Sequence, residues 1–237
     1  MCGRFALYCD PRQFARHFAA DLPADLMPNY NVAPTQEVPI IRLEAAGQCC
    51  NQAGCTLARW GLVPAWAKDV KLGYSTFNAR AETVAIKPAF RSAFRQRRCL
   101  IPADGFYEWQ ALPQTKRKQP WFIARQDRAP LAFAGLWERW TGPGGDTLDS
   151  CCIIVTDANA LMRPIHERMP VILDPADWDA WLAPDRPNPA ARQSLLRPWP
   201  ADDLAAWPID QVGDPGVWDL VTAGRDRSAQ RLGKKSP

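Results

Sequence analysis

Short, largely apolar runs recur along most of this 237-residue chain, broken by Gly, Pro and Asn before they grow long. Runs of about four to eight such residues bounded by breakers read as strands. The strand-length runs are GRFALY at the start, then EVPIIRL, TLARWGL, RCLIPA, GFYEW, PWFIAR, LAFAGLW and SCCIIVT. Helical spacing is rarer. In DPRQFARHFAA, Phe14 and Phe18 share a face at i, i+4, Asp10 stands at the N-cap and Pro11 in the first turn. PAFRSAFRQRR, PADWDAWL and PAARQSLL complete the expected helices. Strands dominate and do not alternate regularly with helices, which disfavours a doubly wound parallel sheet. The pattern predicts an α+β fold. It is one domain over residues 2–222, built of mainly antiparallel, partly barrel-like sheets with a few flanking helices. The polar, basic stretch AGRDRSAQRLGKKSP at 223–237 has no periodicity and is expected to be a disordered tail.

Composition narrows the class. A hydrophobic content of 47% supports a substantial core, and no apolar run approaches the roughly 20 residues of a membrane-spanning helix. A soluble protein is expected. Net charge is only +4, so its distribution says more than its total. Basic residues cluster in RSAFRQRR (Arg91 to Arg98) and KRK (Lys116 to Lys118), readable as phosphate-binding forks or as solvated surface. Eight cysteines without a secretion signal imply free thiols in a reducing, cytoplasmic compartment. The pairs Cys49-Cys50 and Cys151-Cys152 lack CxxC spacing, and His17 and His166 are the only imidazoles, so neither a metal nor another cofactor is expected.

The first residues, MCGRF, raise the chemical question. Once Met1 is removed, Cys2 carries an amine and a thiol two carbons apart, which no internal residue offers. An α-amine with a pKa of about 7.7–8.0 is neutral far more often at pH 7 than a lysine at about 10.4. It would form an imine with an aldehyde, and the thiol would close on that imine as a thiazolidine. Against an amide, the same residue would serve as a thiol nucleophile with the amine as base. Glu108, in GFYEWQ, lies among aromatics that would raise its pKa if it is buried, with Phe106 on the same strand face and Tyr107 and Trp109 on the other. His166, in RPIHERMPVIL, is a candidate acid/base, and it is also readable as a loop histidine bonded to the backbone. His17 lies beside an apolar helix face and reads as a packing or surface residue. Asn78 and Arg80, in the turn-like FNARAET, offer amide hydrogen bonding and a phosphate fork.

MCGRF, YNVAPTQ at 30–36, RWGLVPAW at 59–66, FNARAETV at 77–84, RCLIPADGFYEW at 98–109 and IHERMPVIL at 165–173 stand in the same order as in the SRAP family, which the chain resembles. The resemblance implies an abasic-site sensor of the SOS-type DNA-damage response. Its amino-terminal Cys2, exposed by loss of Met1, would bind the ring-opened sugar of an abasic site in single-stranded DNA as a covalent thiazolidine. By motif, Asn78 would orient the aldehyde, Glu108 would shuttle protons, and His166 would assist ring opening and reversal. Arg4, Arg80 and Arg168 would hold phosphates or order the site, and Asn31, Pro34, Trp60 and Trp66 would form the DNA-binding wall. A monomer suffices, and junctions of single- and double-stranded DNA are among the expected partners. The chain departs from the family pattern at PN before YNVAP, at Ile86, and at WPIDQVGDPGVWDLV, where an asparagine pair and an arginine are usual. The rival reading of MCG is an amidohydrolase of the glutamine amidotransferase kind, with no companion synthase domain in so short a chain.

Overall fold

The computed structural model describes residues 2–23, 26–43, 53–113, 115–183 and 189–216. The expected tail at 223–237 and the Cys49-Cys50 pair lie outside them. The strands are β1 Phe5–Leu7, β2 Asn29–Val32, β3 Glu37–Leu43, β4 Ala53–Trp60, β5 Asn78–Arg80, β6 Arg98–Ala103, β7 Gly105–Ala111, β8 Lys118–Arg125, β9 Leu131–Thr141, β10 Thr147–Asp157, β11 Arg168–Pro170 and β12 Leu204–Pro208. The helices are α1 Pro11–Phe18, α2 Arg91–Gln96, α3 Trp178–Leu182 and α4 Pro189–Ser194. As the cap signals predict, the Asp10 carboxylate accepts from the N–H groups of Arg12 and Gln13 at the start of α1.

Two sheets share the strands. One runs β12-β8-β7-β1-β2; the other runs β11-β10-β4-β3-β6-β9, and β9 returns to pair with β10. That last pairing closes β10, β4, β3, β6 and β9 into a five-stranded barrel, so the α+β reading with partly barrel-like sheets holds. Most pairings are antiparallel, but β10 lies parallel to both β4 and β5. Alternation sorts the side chains. Val38, Ile40, Ala58, Trp60, Ile101, Phe133, Cys151 and Ile153 fill the main core with Cys2, Phe5 and Phe106. The opposite strand faces, with Ile41, Leu100, Ala134 and Ile154, pack under Phe14, Phe18, Phe94 and Trp181 of the helices.

Arg98 corrects the reading of RSAFRQRR as one charged surface. It is 2% exposed, and its guanidinium donates to the carbonyls of Phe94 and Arg95 at the end of α2 and of Trp181 and Ala183 at the end of α3. Terminal helix carbonyls lack intrahelical donors, and this side chain supplies them. His17 packs edge-on against Phe18 and Trp178, as a packing histidine does. Among the described residues no helix is long and apolar enough to cross a membrane.

Candidate active site

Cys2 lies just ahead of β1 and is completely buried. The Tyr107 N–H donates to the Arg4 carbonyl at 3.0 Å, which extends the β1–β7 pairing toward Cys2. The Asn78 amide Nδ2 donates to the Cys2 carbonyl at 2.7 Å. Asn78 is placed by β5, whose three residues are held in parallel on β10 with Asn78 opposite Ile153. The reading of FNARAET as a turn is therefore corrected over Asn78–Arg80, because β10 offers a backbone edge that the local sequence does not reveal. The Asn78 Oδ1 is buried without a hydrogen-bond partner.

Glu108 stands on β7, 2% exposed. The expected facing is observed: Phe106 joins the main core, while Tyr107 and Trp109 pack on the other face with Ala6 and Phe122. Burial raises the Glu108 carboxyl above its ordinary value, and the amino-terminal charge and His166 pull it partway back. Burial, with Glu108 nearby, also raises the Cys2 thiol far above its usual range, so the resting sulfur keeps its proton. His166 ends a turn in which its N–H donates to the Met162 carbonyl at 2.9 Å. Its Nδ1 accepts the Arg168 N–H at 3.0 Å, so a neutral imidazole carries its proton on Nε2.

This grouping suits stepwise proton transfer better than a thiolate attack. A carboxyl raised above its ordinary value by burial, a protonated thiol and an imidazole of defined tautomer stand about the first residues of the chain. Among the described residues, no group of three or more His, Cys, Asp or Glu is arranged to hold a metal. Cys9, Cys55, Cys99, Cys151 and Cys152 are free thiols, each raised above the ordinary value by burial.

The expected wall residues divide. Trp66 is 62% exposed, Asn31 is exposed on β2, Pro34 is half-buried just beyond it, and Arg80 is exposed at the end of β5. Arg4 is half-buried, with Nη1 donating to the Gly3 carbonyl at 2.7 Å. Trp60 does not fit a stacking surface. It is wholly buried, its ring centroid 5.1 Å from that of Phe5, with Nε1 donating to the Phe77 carbonyl at 2.8 Å. It supports the backbone immediately before Asn78 from behind. Arg168 is engaged by Glu82 and Asp157, carboxylates that the sequence reading did not single out. Tyr74 is 60% exposed, with Arg59 lying over its ring at 5.3 Å.

The SOS response associated peptidase (SRAP) family model matches residues 1–214. The abasic site processing protein YoqW of Bacillus subtilis (strain 168) is 44% identical over 215 residues, covering 90% of this chain and 93% of that protein. The abasic site processing protein YoaM of the same organism is 42% identical over 235 residues, with coverage of 98% and 97%. The abasic site processing protein HMCES of Mus musculus is 32% identical over 222 residues, 80% of this chain and 62% of that longer protein. A crystal structure of a protein from Bacteroides thetaiotaomicron superposes with a TM-score of 0.80 at 26% identity, covering 91% of this chain and 98% of that one. With its motifs, fold and relatives in agreement, the chain belongs to the SRAP family.

Proposed function

We propose that this protein processes abasic sites in single-stranded DNA, and that Cys2, once Met1 is hydrolysed away, captures the abasic sugar covalently. The observation that carries this reading is the placement of Cys2: fully buried, its carbonyl held by Asn78 and its thiol within the electrostatic reach of Glu108. The chemistry runs in order. As the sugar opens to its aldehyde, the proton of the C1′ hydroxyl passes to the ring oxygen, with His166 Nε2–H hydrogen-bonding that departing oxygen, and Asn78 orients the aldehyde. The Cys2 amine adds to C1′ and loses water to form an imine, with Glu108 delivering a proton to the departing hydroxyl and taking one back from the nitrogen. The thiol then adds to the imine carbon and gives its proton up as the imine nitrogen gains one, closing the five-membered thiazolidine. A thiol that stays protonated until that last step is compatible with the order, because the amine acts first.

Arg4 and Arg80 serve the strand's phosphates, and Asn31, Pro34 and Trp66 supply wall contacts, a stacked base being worth about 1–3 kcal/mol. The purified protein, incubated with an oligonucleotide bearing one abasic site, is expected to give a slower-migrating band that survives denaturation. Absence of the band with wild type, or an undiminished band with Cys2→Ala, overturns the proposal. Cys2-dependent hydrolysis of glutamine would establish the amidohydrolase in its place. Intact mass of protein made in cells lacking methionine aminopeptidase tells self-removal of Met1 from removal by another enzyme.

A further inference from the structure

Two carboxylates already occupy the guanidinium assigned to a DNA phosphate. Arg168 opens β11 directly opposite Asp157 of β10. Its Nη1 meets Glu82 Oε1 at 2.5 Å and Asp157 Oδ1 at 3.2 Å, with an arginine side chain only 16% exposed. Glu82 sits on the turn after β5, two residues past the exposed Arg80, and its side chain is 47% exposed. Asp157 is far more open, at 74%. Partial burial works against the Glu82 carboxylate, yet the bond from Arg168 and the charge of Arg80 hold its pKa below the ordinary value. Glu82 stays ionised at neutral pH.

We infer that Glu82 is a specificity-determining residue of the DNA site, holding Arg168 so that a strand phosphate gains this arginine only by displacing a carboxylate. The inference rests on the DNA reading above. An arginine exposed to solvent would grip the backbone of any single strand and release a counterion as it did so. An arginine already neutralised by Glu82 releases none, because one anion replaces another. Affinity for undamaged DNA is thereby kept low, and retention falls to the covalent chemistry, which an intact nucleotide cannot enter. Asp157 contributes less, its contact being longer and more exposed to solvent.

The direction of the effect separates this role from a structural one. Losing a merely structural ion pair would loosen the site and weaken binding, whereas losing a competitor strengthens it. Anisotropy titrations of an undamaged, fluorescently labelled single strand over a salt series compare wild type, Glu82→Gln, Arg168→Gln and the double variant. Glu82→Gln is expected to bind roughly two- to fivefold more tightly, the range of a partly exposed ion pair. Its plot of log K against log salt should steepen by about 0.7, one released counterion for a single strand. Both gains should vanish in Glu82→Gln/Arg168→Gln. Equal or weaker binding by Glu82→Gln with an unchanged slope overturns the inference, and so does a gain that persists without Arg168. If wild type forms the abasic adduct while Glu82→Gln gains nothing, the inference alone fails. If wild type forms no adduct and binds no DNA, the proposed function fails first.

Discussion

Glu108 is a carboxyl whose surroundings favour its proton, and that makes both its use and its cost measurable. Its folded-state pKa is raised by burial above the ordinary 4.5, so the folded protein binds the proton more tightly than the unfolded chain does. Stability from this group is complete below pH 4.5 and falls as pH rises through the raised value. Glu108→Gln keeps the shape and removes the ionisation. The variant is expected to form the abasic adduct roughly 10²- to 10⁴-fold more slowly, the usual contribution of a positioned acid or base. At pH 7 it should also melt above wild type, the difference closing below pH 4.5. Single-turnover gel kinetics and thermal melts at the two pH values check this, and unchanged kinetics would remove Glu108 from the mechanism. The sequence raised Glu108 because a glutamate within an aromatic strand is costly unless paired, and its burial meets the condition on which a raised pKa was expected. The burial of Trp60 was not legible, because RWGLVPAW does not say which tryptophan faces the core, and only the barrel's closure turns Trp60 inward and Trp66 out.

The longer strands were legible as apolar runs bounded by breakers, β3 and β6 to the residue, and both faces of β6 are buried, which is why it shows no period two. The short strands β2, β5 and β12 were not. Three to five residues carry too little pattern: β5 and β12 exist because a longer neighbour lends each an edge, β10 and β8, while β2 pairs with β1, itself only three residues long. The divergent WPIDQVGDPGVWDLV illustrates this, since its first two residues close β12 and Ile209 N–H then bonds to the Pro120 carbonyl. The turn out of β4 depends on a different local feature. Gly61 has a φ of +139°, and a Cβ there would lie 2.5 Å from the Gly73 carbonyl oxygen. Thr76 Oγ1, donating to the Leu62 carbonyl at 2.6 Å, ties the returning end of the loop that carries Trp66. Gly61→Ala therefore combines backbone strain with a clash against main chain, and about 1–3 kcal/mol of stability should be lost. That corresponds to a Tm lower by about 2–4 °C per kcal/mol in a chain of this size. A Tm within a degree of wild type would show that the turn can relax.

The two sheets meet where the chain leaves β6 for β7, and a single carboxyl sits at that crossing. The Asp104 N–H donates to the Ala6 carbonyl at 2.8 Å, and its Oδ2 accepts the N–H of Tyr8 and, at 2.8 Å, that of Cys9. It thus fixes the end of β1, whose other end leads to Cys2. Burial pushes Asp104 up to about 6 despite those donors, against an ordinary value of 3.8. Between these two values the folded protein binds more protons than the unfolded chain, so this group's contribution to stability falls as pH rises from about 4 to 6 and is flat above. Asp149 acts oppositely. Its bidentate bonds from Arg139, at 2.7 and 2.8 Å, and a contact from Arg42 lower its pKa, so the tie it makes from β10 to β9 and β3 is lost as pH falls below 3.8. Asp104→Asn retains an oxygen for the two N–H groups while removing the charge. In urea unfolding, its stability relative to wild type is expected to rise between pH 4 and pH 6 and then stay constant. A difference that is independent of pH over that interval would mean that Asp104 ionises in the folded protein as it does in the unfolded chain.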